Sequence, residues 1–470
     1  MKRIFSLYLT VIAILALVAG CTKPVVPDEQ EQEQEQEKLE LLTLTTSVEG
    51  DGIFDGNPSY IMHVKNPNKV EVEARIQSRV TSDFKKEVAN VDYMEKIPAN
   101  GSKDIVITPT ADRWDPGFYT ANCFVDGRSR ATVGFGIRPF EIVSAPDKQP
   151  DFDEFWAAAY EQLKAIDMNV SFVPTKREGT YMVVMQSIPD GLEGDPMTIR
   201  CYYIEPANDG KAHPAIVHYY GYDDFPGTSK LELPSGSSEY AHLWVSSRGQ
   251  RINARAQSLR SDGIEEDFKN PYEKQWFTIN FGDKDSYYYR GAYMDCVQGI
   301  RFLALCEDEK VKGRVDIDNV FVEGMSQGGA FSYAAAALSK EYPVRAIAPG
   351  VAFMGDFPDY FVIAANDGGG FPSMAQQCKK ELKWDDAQMY AFMSYFDTKN
   401  LATRISCPIY ANIGLKDNIC PPHTNIAPYN NVLTPASDKQ MTFYPKMGHE
   451  VPAGWETNYK KFFQSHMATK

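Results

Sequence analysis

The sequence lacks an excess of positive charge, and this argues against binding to nucleic acids. Its 470 residues contain 48 Lys and Arg against 63 Asp and Glu, which gives a net charge of −15. Residues 1–20 contribute two basic residues and no acid, so the chain without them has a net charge of −17. Because a nucleic-acid-binding surface needs a basic patch, we expect no nucleic-acid partner. A neutral ligand, by contrast, does not require a charged site.

Cysteine is also scarce, and its positions do not suggest a disulfide framework. Beyond Cys21 the chain has seven cysteines, an odd number without regular spacing, and we expect most to be buried free thiols. Cys420 and His423 have the spacing of metal ligands. However, two prolines separate them and no second pair follows. We therefore expect neither a metal nor another cofactor.

The N-terminal apolar run is short for a membrane span. Ile4–Ala19 has about 16 residues, whereas a bilayer needs about 20. Lys2 and Arg3 precede it and Leu17-Val18-Ala19-Gly20-Cys21 ends it, which is typical of a bacterial lipoprotein signal. We predict a signal peptide over residues 1–20, cleavage before Cys21 and a lipid anchor on that cysteine. A transmembrane helix is the alternative.

Residues 21–40 contain too few apolar side chains to form a core. They have seven acidic residues against two lysines, and much of the segment alternates Glu and Gln. We predict an extended acidic tether, with a marginal helix as the alternative. A tether behind a lipid anchor suggests attachment to a bacterial membrane. We expect this to be the outer membrane, with the protein facing the periplasm or the cell surface.

Residues 41–142 differ in character from the rest of the chain. They contain short segments rich in β-branched and aromatic residues, separated by turn residues such as Asp126-Gly127. This pattern is typical of a small, Ig-like all-β sandwich, which more often acts as a spacer than as a binding module. Its candidates for stacking against a ligand are four aromatic residues: Tyr93, Trp114, Phe118 and Tyr119.

The most informative motif is Gly324-Met325-Ser326-Gln327-Gly328-Gly329. Asn319–Glu323 is predicted to be a strand, and Phe331–Lys340 has the spacing of a helix. A strand, a sharp G-x-S-x-G turn and a helix are the setting of a nucleophile elbow. A small serine in an ordinary strand-to-helix turn is the alternative. We predict that Ser326 is a nucleophile at the carboxyl edge of a mostly parallel sheet, within an α/β domain over residues 143–470.

Two further residues follow predicted strands in the order that this chemistry requires. Asp417 comes just after the apolar run Cys407–Leu415, and His449 comes shortly after Met441–Tyr444. The order Ser, acid, His is that of α/β-hydrolases. Because the carboxyl ends of parallel strands meet at one edge of a sheet, we expect the three side chains to converge.

Other residues compete for these two roles. His423 lies six residues beyond Asp417, and we expect it to border the site or to be exposed. Asp385 and Asp386 also lie between the serine and the histidine, but Lys383-Trp384-Asp385-Asp386 is typical of a capped helix start. Asp417 and His449 therefore remain the predicted acid and base.

Several further motifs accompany this triad over roughly residues 143–470. Taken together, they resemble the signature of carbohydrate esterase family 7, the acetyl xylan esterases and cephalosporin C deacetylases. The resemblance implies an α/β-hydrolase fold, a Ser326–Asp417–His449 triad and hydrolysis of acetyl esters on short sugar chains. It also implies a ring-like homo-oligomer, an assembly that an extra N-terminal domain could alter. The motifs are Pro150-Asp151-Phe152-Asp153-Glu154-Phe155-Trp156, Arg248-Gly249-Gln250, Tyr287-Tyr288-Tyr289-Arg290, Gly324–Gly329, Gly414-Leu415-Lys416-Asp417, Cys420-Pro421-Pro422 and His449-Glu450.

The resemblance also implies an oxyanion hole, formed by the backbone N–H groups of Tyr222 and Gln327. The sequence reads Tyr220-Gly221-Tyr222 where the family has His-Gly-Tyr. Because the donor is a main-chain group, this difference affects local packing rather than the donor itself. Arg248, with Gly249 and Gln250, is expected to join loops behind the site. The family's aspartate two places before this arginine is Ser246 here.

The favoured function is therefore a serine esterase that removes acetyl groups from acetylated xylo-oligosaccharides or related glycans. One alternative keeps the triad and changes the substrate to another ester or a peptide. A second alternative is an inactive, glycan-binding lipoprotein. The size of the acyl pocket would separate the two enzymes, since each misfit methylene is worth about 1–3 kcal/mol.

Overall fold

The computed structural model describes residues 39–222, 230–254, 257–266, 268, 270–366 and 369–468. The predicted signal peptide, Cys21 and all of the tether before Leu39 lie outside these residues. By its internal contacts the chain divides into residues 1–40 and residues 41–470, and the second part is described below. Among the described helices, none has both the length and the apolar character needed to cross a membrane.

Residues 43–137, the β region, form two sheets. One sheet has the order β1-β3-β6 and the other the order β2-β8-β7-β4-β5. All neighbouring strands are antiparallel except β2 and β8. Alternate residues of β4 are buried, which is the pattern of a strand with one face on a core. The strands are β1 Thr43–Val48, β2 Ile53–Phe54, β3 Tyr60–Lys65, β4 Val72–Ser82, β5 Glu87–Ile97, β6 Ser102–Ile107, β7 Gly117–Val125 and β8 Ser129–Ile137.

The aromatic residues of the β region do not form a ligand-stacking platform. Trp114 and Tyr119 pack edge to face at 5.2 Å within its core, and Tyr119 also stacks on Phe135. Phe118 is buried against Phe443 of the following part of the chain. Only Tyr93, 38% exposed, could present its ring to a ligand, so the prediction is wrong for the other three. The sequence placed Phe118 and Tyr119 in a strand, but it did not indicate which faces of that strand would be covered.

The remaining strands form one nine-stranded sheet of order β17-β16-β15-β14-β12-β13-β11-β10-β9. From β13 to β17 the neighbours are parallel, whereas β9, β10 and β11 pair antiparallel at one side. The predicted α/β fold with a mostly parallel sheet is confirmed. The strands are β9 Ser171–Pro174, β10 Thr180–Ser187, β11 Met197–Ile204, β12 His213–Tyr219, β13 Ala241–Ser246, β14 Val315–Met325, β15 Ala346–Gly350, β16 Ile409–Gly414 and β17 Lys439–Tyr444.

Helices cover both faces of this sheet, which explains why its central strands are apolar throughout. Val320 and Val322 of β14 face the core that contains α1, α2 and α3, whereas Phe321 faces α9 and stacks on Phe463 at 4.6 Å. The helices are α1 Phe152–Ala165, α2 Tyr288–Leu305, α3 Gln327–Leu338, α4 Phe357–Asn366, α5 Gly370–Leu382, α6 Asp386–Met393, α7 Thr398–Ala402, α8 Pro422–Asn431 and α9 Trp455–Ser465.

Two local predictions are confirmed by these elements. Asp385 caps α6, because its carboxylate accepts a hydrogen bond from Gln388 N while the Gln388 side chain accepts one from Asp385 N. The seven cysteines from Cys123 to Cys420 are free thiols, and five of them are buried.

The β region packs on the loops that follow β16 and β17. Gly134 of β8 approaches Leu415 so closely that a Cβ there would overlap the Leu415 carbonyl oxygen. Phe118, Leu415 and Phe443 belong to one shared apolar cluster. This cluster lies at the carboxyl edge of the parallel sheet, directly beside Asp417.

An ionic contact strengthens this packing. His423 Nδ1 donates to Asp83 Oδ2 of the β region at 3.0 Å, and His423 Nε2 lies 3.1 Å from Asp359 Oδ2. Phe84 also packs edge to face on the imidazole at 5.4 Å. His423 is buried, so it is not an exposed residue but a contact between the β region and α8. Burial alone would lower the pKa of His423, but the hydrogen bonds to Asp359 and Asp83 outweigh burial and raise the pKa to about 10.

This contact predicts a pH dependence of stability. Because the pKa of His423 is higher in the folded than in the unfolded chain, its contribution is complete below about pH 6.5 and is lost as the pH rises towards 10. We expect residues 41–470 to lose on the order of 2–4 kcal/mol of unfolding free energy through this residue over that window. Urea denaturation between pH 6 and pH 10 measures the loss. His423→Gln should flatten the curve and His466→Gln should not; equal slopes in all three proteins would contradict the prediction.

Candidate active site

Ser326 lies in a strained turn between β14 and α3. β14 ends at Met325 and α3 begins at Gln327, and Ser326 has φ 59° and ψ −121°. A non-glycine residue in this region is costly and is held only by its surroundings. A Cβ at Gly324 would lie 2.6 Å from the backbone of Gly328, and one at Gly328 would overlap the Tyr219 carbonyl oxygen. The two glycines of the G-x-S-x-G motif are therefore required by close backbone packing.

The helix starts earlier than its sequence indicates. Propensity placed its start at Phe331, because glycine disfavours helix interiors. In the structure Gly328 and Gly329 belong to α3, since the turn brings the chain directly from Ser326 into the helix. The Gln327 N–H lies in the first turn of α3, where an N–H has no acceptor within its own helix.

Asp417 and His449 meet at the carboxyl ends of β16 and β17. His449 Nδ1 donates to Asp417 Oδ2 at 2.9 Å. Asp417 Oδ1 accepts from the N–H groups of Ile419 and Cys420, each at 2.9 Å, so both oxygens of the buried carboxylate are fixed. Since a carboxylate only accepts, Nδ1 must hold the imidazole proton, and Nε2 is left free to act as a base.

Cys420, which the sequence marked only as part of a family motif and as a spacing candidate for a metal, lies beside Ser326. Its thiol lies within hydrogen-bonding reach of the Ser326 side chain, while its N–H holds Asp417. Burial raises the pKa of Cys420 well above its ordinary value, so the thiol stays neutral beside the serine. The sequence feature that could have indicated this role is the position of Cys420, three residues after Asp417.

The segment of the second predicted oxyanion donor runs beside the serine. A Cβ built on Gly221 would lie 3.8 Å from the Ser326 Cβ, which places the Tyr220-Gly221-Tyr222 segment against the nucleophile. The Tyr222 hydroxyl donates to Gln275 Oε1 at 2.8 Å. The predicted donors, the N–H groups of Tyr222 and Gln327, therefore come from two segments next to Ser326.

Aromatic side chains form a wall beside Tyr222. Its ring packs edge to face on Trp276 and Phe371, with centroids 5.2 and 5.1 Å away. Phe371 in turn packs on Phe353 at 4.5 Å, and Phe353 N donates to the Ser326 carbonyl at 2.9 Å. An aromatic cluster thus packs beside segments that adjoin Ser326.

Gln250 joins the loop after β13 to the start of α3. The amides of Gln250 and Gln327 are paired, with Gln327 Nε2 donating to Gln250 Oε1 at 2.9 Å and Gln250 Nε2 donating to Gln327 Oε1 at 3.2 Å. Tyr289 OH also donates to Gln327 Oε1 at 2.9 Å. Gln250 therefore acts on the site through the helix that follows Ser326.

Arg248 is fully buried and bound to two acids from other parts of the chain. Its Nη2 and Nε donate to Asp295 of α2 at 2.6 and 3.0 Å, and its Nη1 donates to Asp190 at 2.8 Å. Gly249 follows with φ 72°. Ser246, which stands where the family has aspartate, donates instead to Gln250 O at 2.7 Å. Arg248 thus joins three segments, and its acidic partners lie far from it in sequence.

The buried pair predicts a large stability effect. Asp295→Ala leaves the Arg248 guanidinium buried with Asp190 alone, so we expect a loss of about 3–5 kcal/mol in the free energy of unfolding. Asp153→Ala, which removes the partner of Arg404 at the surface, should cost less than about 1 kcal/mol. Urea denaturation of both variants tests this. Similar losses in the two variants would show that burial of the Arg248 pair adds nothing.

One group of side chains in the described part of the chain has metal-binding geometry: Asp356, Asp359 and His423. Their donor atoms are already engaged by charge partners. Lys399 Nζ donates to Asp356 Oδ1 at 2.9 Å, and both ring nitrogens of His423 face carboxylates. The group is accounted for as an ion-pair network.

The fold and this site define the class of the protein: it is an α/β-hydrolase, with a nucleophile elbow and an Asp–His pair at the carboxyl edge of the sheet. Residues 141–467 match the sequence model of the family described as acetyl xylan esterase (AXE1). The chain belongs to this family, as its motifs indicated, and is a carboxylic ester hydrolase.

Individual relatives agree with the family. The chain is 28% identical over 355 residues to "Acetyl esterase Axe7A" of Xylanibacter ruminicola, a match that covers 73% of each chain. The solved structure of acetyl xylan esterase 1 from Thermoanaerobacterium sp. shares the fold with a TM-score of 0.56 and 22% identity, over 70% of this chain and 98% of that one. An acetyl xylan esterase from Paenibacillus sp. R4 does so with a TM-score of 0.55 and 24% identity, over the same shares.

Proposed function

We propose that the protein removes acetyl groups from acetylated xylo-oligosaccharides or related glycans through an acetyl-enzyme on Ser326. The supporting observation is the 2.9 Å pair of His449 and Asp417, at the same sheet edge as a strained Ser326, in a member of the acetyl xylan esterase family. The two enzyme alternatives share this triad and differ in the substrate. An inactive protein would have no need of the strain at Ser326.

In the proposed reaction, Ser326 Oγ attacks the acetyl carbonyl while His449 Nε2 takes its proton. Asp417 keeps the imidazole in the required tautomer and stabilises the imidazolium. The N–H groups of Tyr222 and Gln327 bind the oxyanion, and one such donor is worth about 3–4 kcal/mol in the barrier. His449 then protonates the departing sugar hydroxyl, and water releases acetate from Ser326.

The aromatic wall favours a small acyl group. The Phe353 backbone bonds to Ser326, and Tyr222 follows Gly221, which adjoins the serine. We infer that the packed rings of Phe353 and Tyr222 limit the room for a longer acyl chain. We expect kcat/KM for p-nitrophenyl butyrate to be at least about tenfold below that for the acetate, since each misfit methylene is worth about 1–3 kcal/mol. Initial rates with both esters measure this. Equal values would mean that the wall does not limit the acyl group.

Acetate release from acetylated xylo-oligosaccharides by residues 41–470 tests the proposed substrate. Release that disappears in Ser326→Ala supports it. Turnover of p-nitrophenyl acetate without release from the xylan fragments would keep the chemistry and exclude these glycans. No turnover of any ester by the folded protein would reject the proposal and favour a binding role.

We also propose that the mature protein is anchored to a membrane through a lipidated Cys21. The support is the sequence Leu17-Val18-Ala19-Gly20-Cys21 after a basic start and an apolar run. Expression of the full chain and of Cys21→Ala, followed by separation of membrane and soluble fractions, tests the anchor. Retention of the variant in the membrane fraction would favour an uncleaved transmembrane segment instead.

A further inference from the structure

A cleft of about 590 Å³ lies between the β region and the loop that contains Asp417. One wall is the β7–β8 pair, and the other includes Leu415, Lys416, Asp417 and Asn418. One side of this loop therefore faces the cleft and the other faces His449, because Asp417 lines the cleft while its carboxylate is bonded to His449. The volume falls within the range of about 300–1,000 Å³ typical of ligand sites. The cleft is separate from the surroundings of Ser326 but adjacent to them.

The wall formed by β7 and β8 is polar. Thr120, Asn122, Thr132 and Arg130 line it, and all four lie on the same face of the strand pair because alternate residues share a face. The opposite face of these strands is in the core of the β region. Arg130 Nη2 donates to Asn122 Oδ1 at 3.0 Å, which holds the guanidinium over this wall. Hydroxyl, amide and guanidinium groups in a row are suited to the hydroxyl groups and charged substituents of a sugar chain.

Basic residues outnumber acidic residues along the cleft, with Lys85, Arg130 and Lys416 against Asp83 and Asp417. Asp83 is paired with His423, whose pKa is raised, whereas Asp417 keeps its negative charge beside a neutral His449 on the other side of the loop. Within the described residues, neither Arg130 nor Lys416 forms an ion pair with a carboxylate. Partial burial and the neighbouring Lys446 lower the pKa of Lys416, so this cation lies beside another cation. In a chain of net charge −15, two cations that face one cleft without a carboxylate partner favour an anionic ligand.

We propose that this cleft binds a uronic-acid-bearing segment of the glycan substrate, with Arg130 and Lys416 as the ligands of its carboxylate. Arginine pairs with carboxylates in a fork geometry, and the threonine and asparagine side chains would bind the sugar hydroxyls. The acetyl group would react at Ser326 on the other side of the loop, while units further along the same chain occupy the cleft. That this glycan is the substrate rests on the proposed function. Binding of the glycan to the cleft can be measured without catalysis.

Calorimetry on residues 41–470 tests the cleft directly. The probe is a xylo-oligosaccharide that carries a uronic-acid side group and no acetyl group, and its matched control is the same compound with the carboxyl group reduced to an alcohol. We expect the acidic compound to bind at least about tenfold more tightly, and this preference to shrink when NaCl is raised from about 20 to about 300 mM. Arg130→Gln and, separately, Lys416→Gln should each remove most of the preference, whereas Lys461→Gln on α9 should keep it.

The outcomes separate this inference from the proposed function. Equal affinity for the acidic and the reduced compound, or a preference that survives both cleft substitutions, would overturn the inference even if acetate release is normal. A preference that depends on Arg130 in a protein that hydrolyses no acetyl ester would support the cleft and reject the esterase proposal. If the melting temperature of Arg130→Gln or of Lys416→Gln differs from that of the unaltered protein, that variant is set aside and the other variant decides the result.

Discussion

Ser326→Ala is expected to lower kcat for p-nitrophenyl acetate by about 10⁶ while the protein stays folded. The substitution removes only the hydroxyl that attacks the carbonyl, and the backbone of the turn is held by Gly324, Gly328 and the start of α3. Single-turnover and steady-state rates with the nitrophenyl ester measure the loss, and circular dichroism reports the fold.

Ser373→Ala is the matched control, because Ser373 is an exposed serine of α5 whose hydroxyl donates to the carbonyl of Gly369, just before the helix. Its rates should equal those of the unaltered protein. An active Ser326→Ala protein, free of contaminating enzyme, would show that another group attacks the ester.

Asp417→Asn should lower kcat by about 10⁴. An amide at this position would still fit between the N–H groups of Ile419 and Cys420 and the imidazole, but it would no longer enforce a proton on His449 Nδ1. The base nitrogen would then be protonated in the resting enzyme. We expect KM to change little, since the carboxylate is buried behind the imidazole.

Asp386→Asn tests the rival position in the same assay. This acid lies at the start of α6 in an ion pair with Lys379, and its replacement should leave kcat unchanged. A larger effect from Asp386 than from Asp417 would reassign the acid.

Short-range patterns predicted the framework of the site. The elbow, the strand before Asp417 and the strand before His449 are each encoded within about ten residues, so hydrophobic pattern and turn residues were sufficient to locate them. The capping box at Asp385 is equally local. The structure brings Asp417 and His449 together at the predicted edge, while their catalytic roles stay predictions.

Long-range partners were not predictable in this way. Arg248 binds Asp295 and Asp190, which lie 47 and 58 residues away, and His423 binds Asp83, 340 residues away. No spacing rule connects such positions, because the fold alone brings them together. The replacement of the family's aspartate by Ser246 suggested a changed ion pair, but it could not indicate that α2 supplies the acid.

The burial of aromatic residues in the β region was unpredictable for the same reason. Alternation showed that Phe118 and Tyr119 belong to one strand and point to opposite faces. Both residues are covered, Tyr119 by the core of the β region and Phe118 by the cluster that contains Phe443 and Leu415. A single sequence does not distinguish an aromatic residue that packs on another part of the chain from one that is exposed and could bind a ligand.

The packing of Gly134 on Leu415 and the pairing of Asp83 with His423 have a practical consequence for modular engineering. The β region cannot be exchanged or trimmed like an appended tag, although it lies outside the span of the family match. A fragment that begins at residue 143 would expose Leu415 and Phe443 to water and would leave His423 with one carboxylate, on the very loop that holds Asp417. Expression designs and chimeras should therefore keep residues 41–470 together.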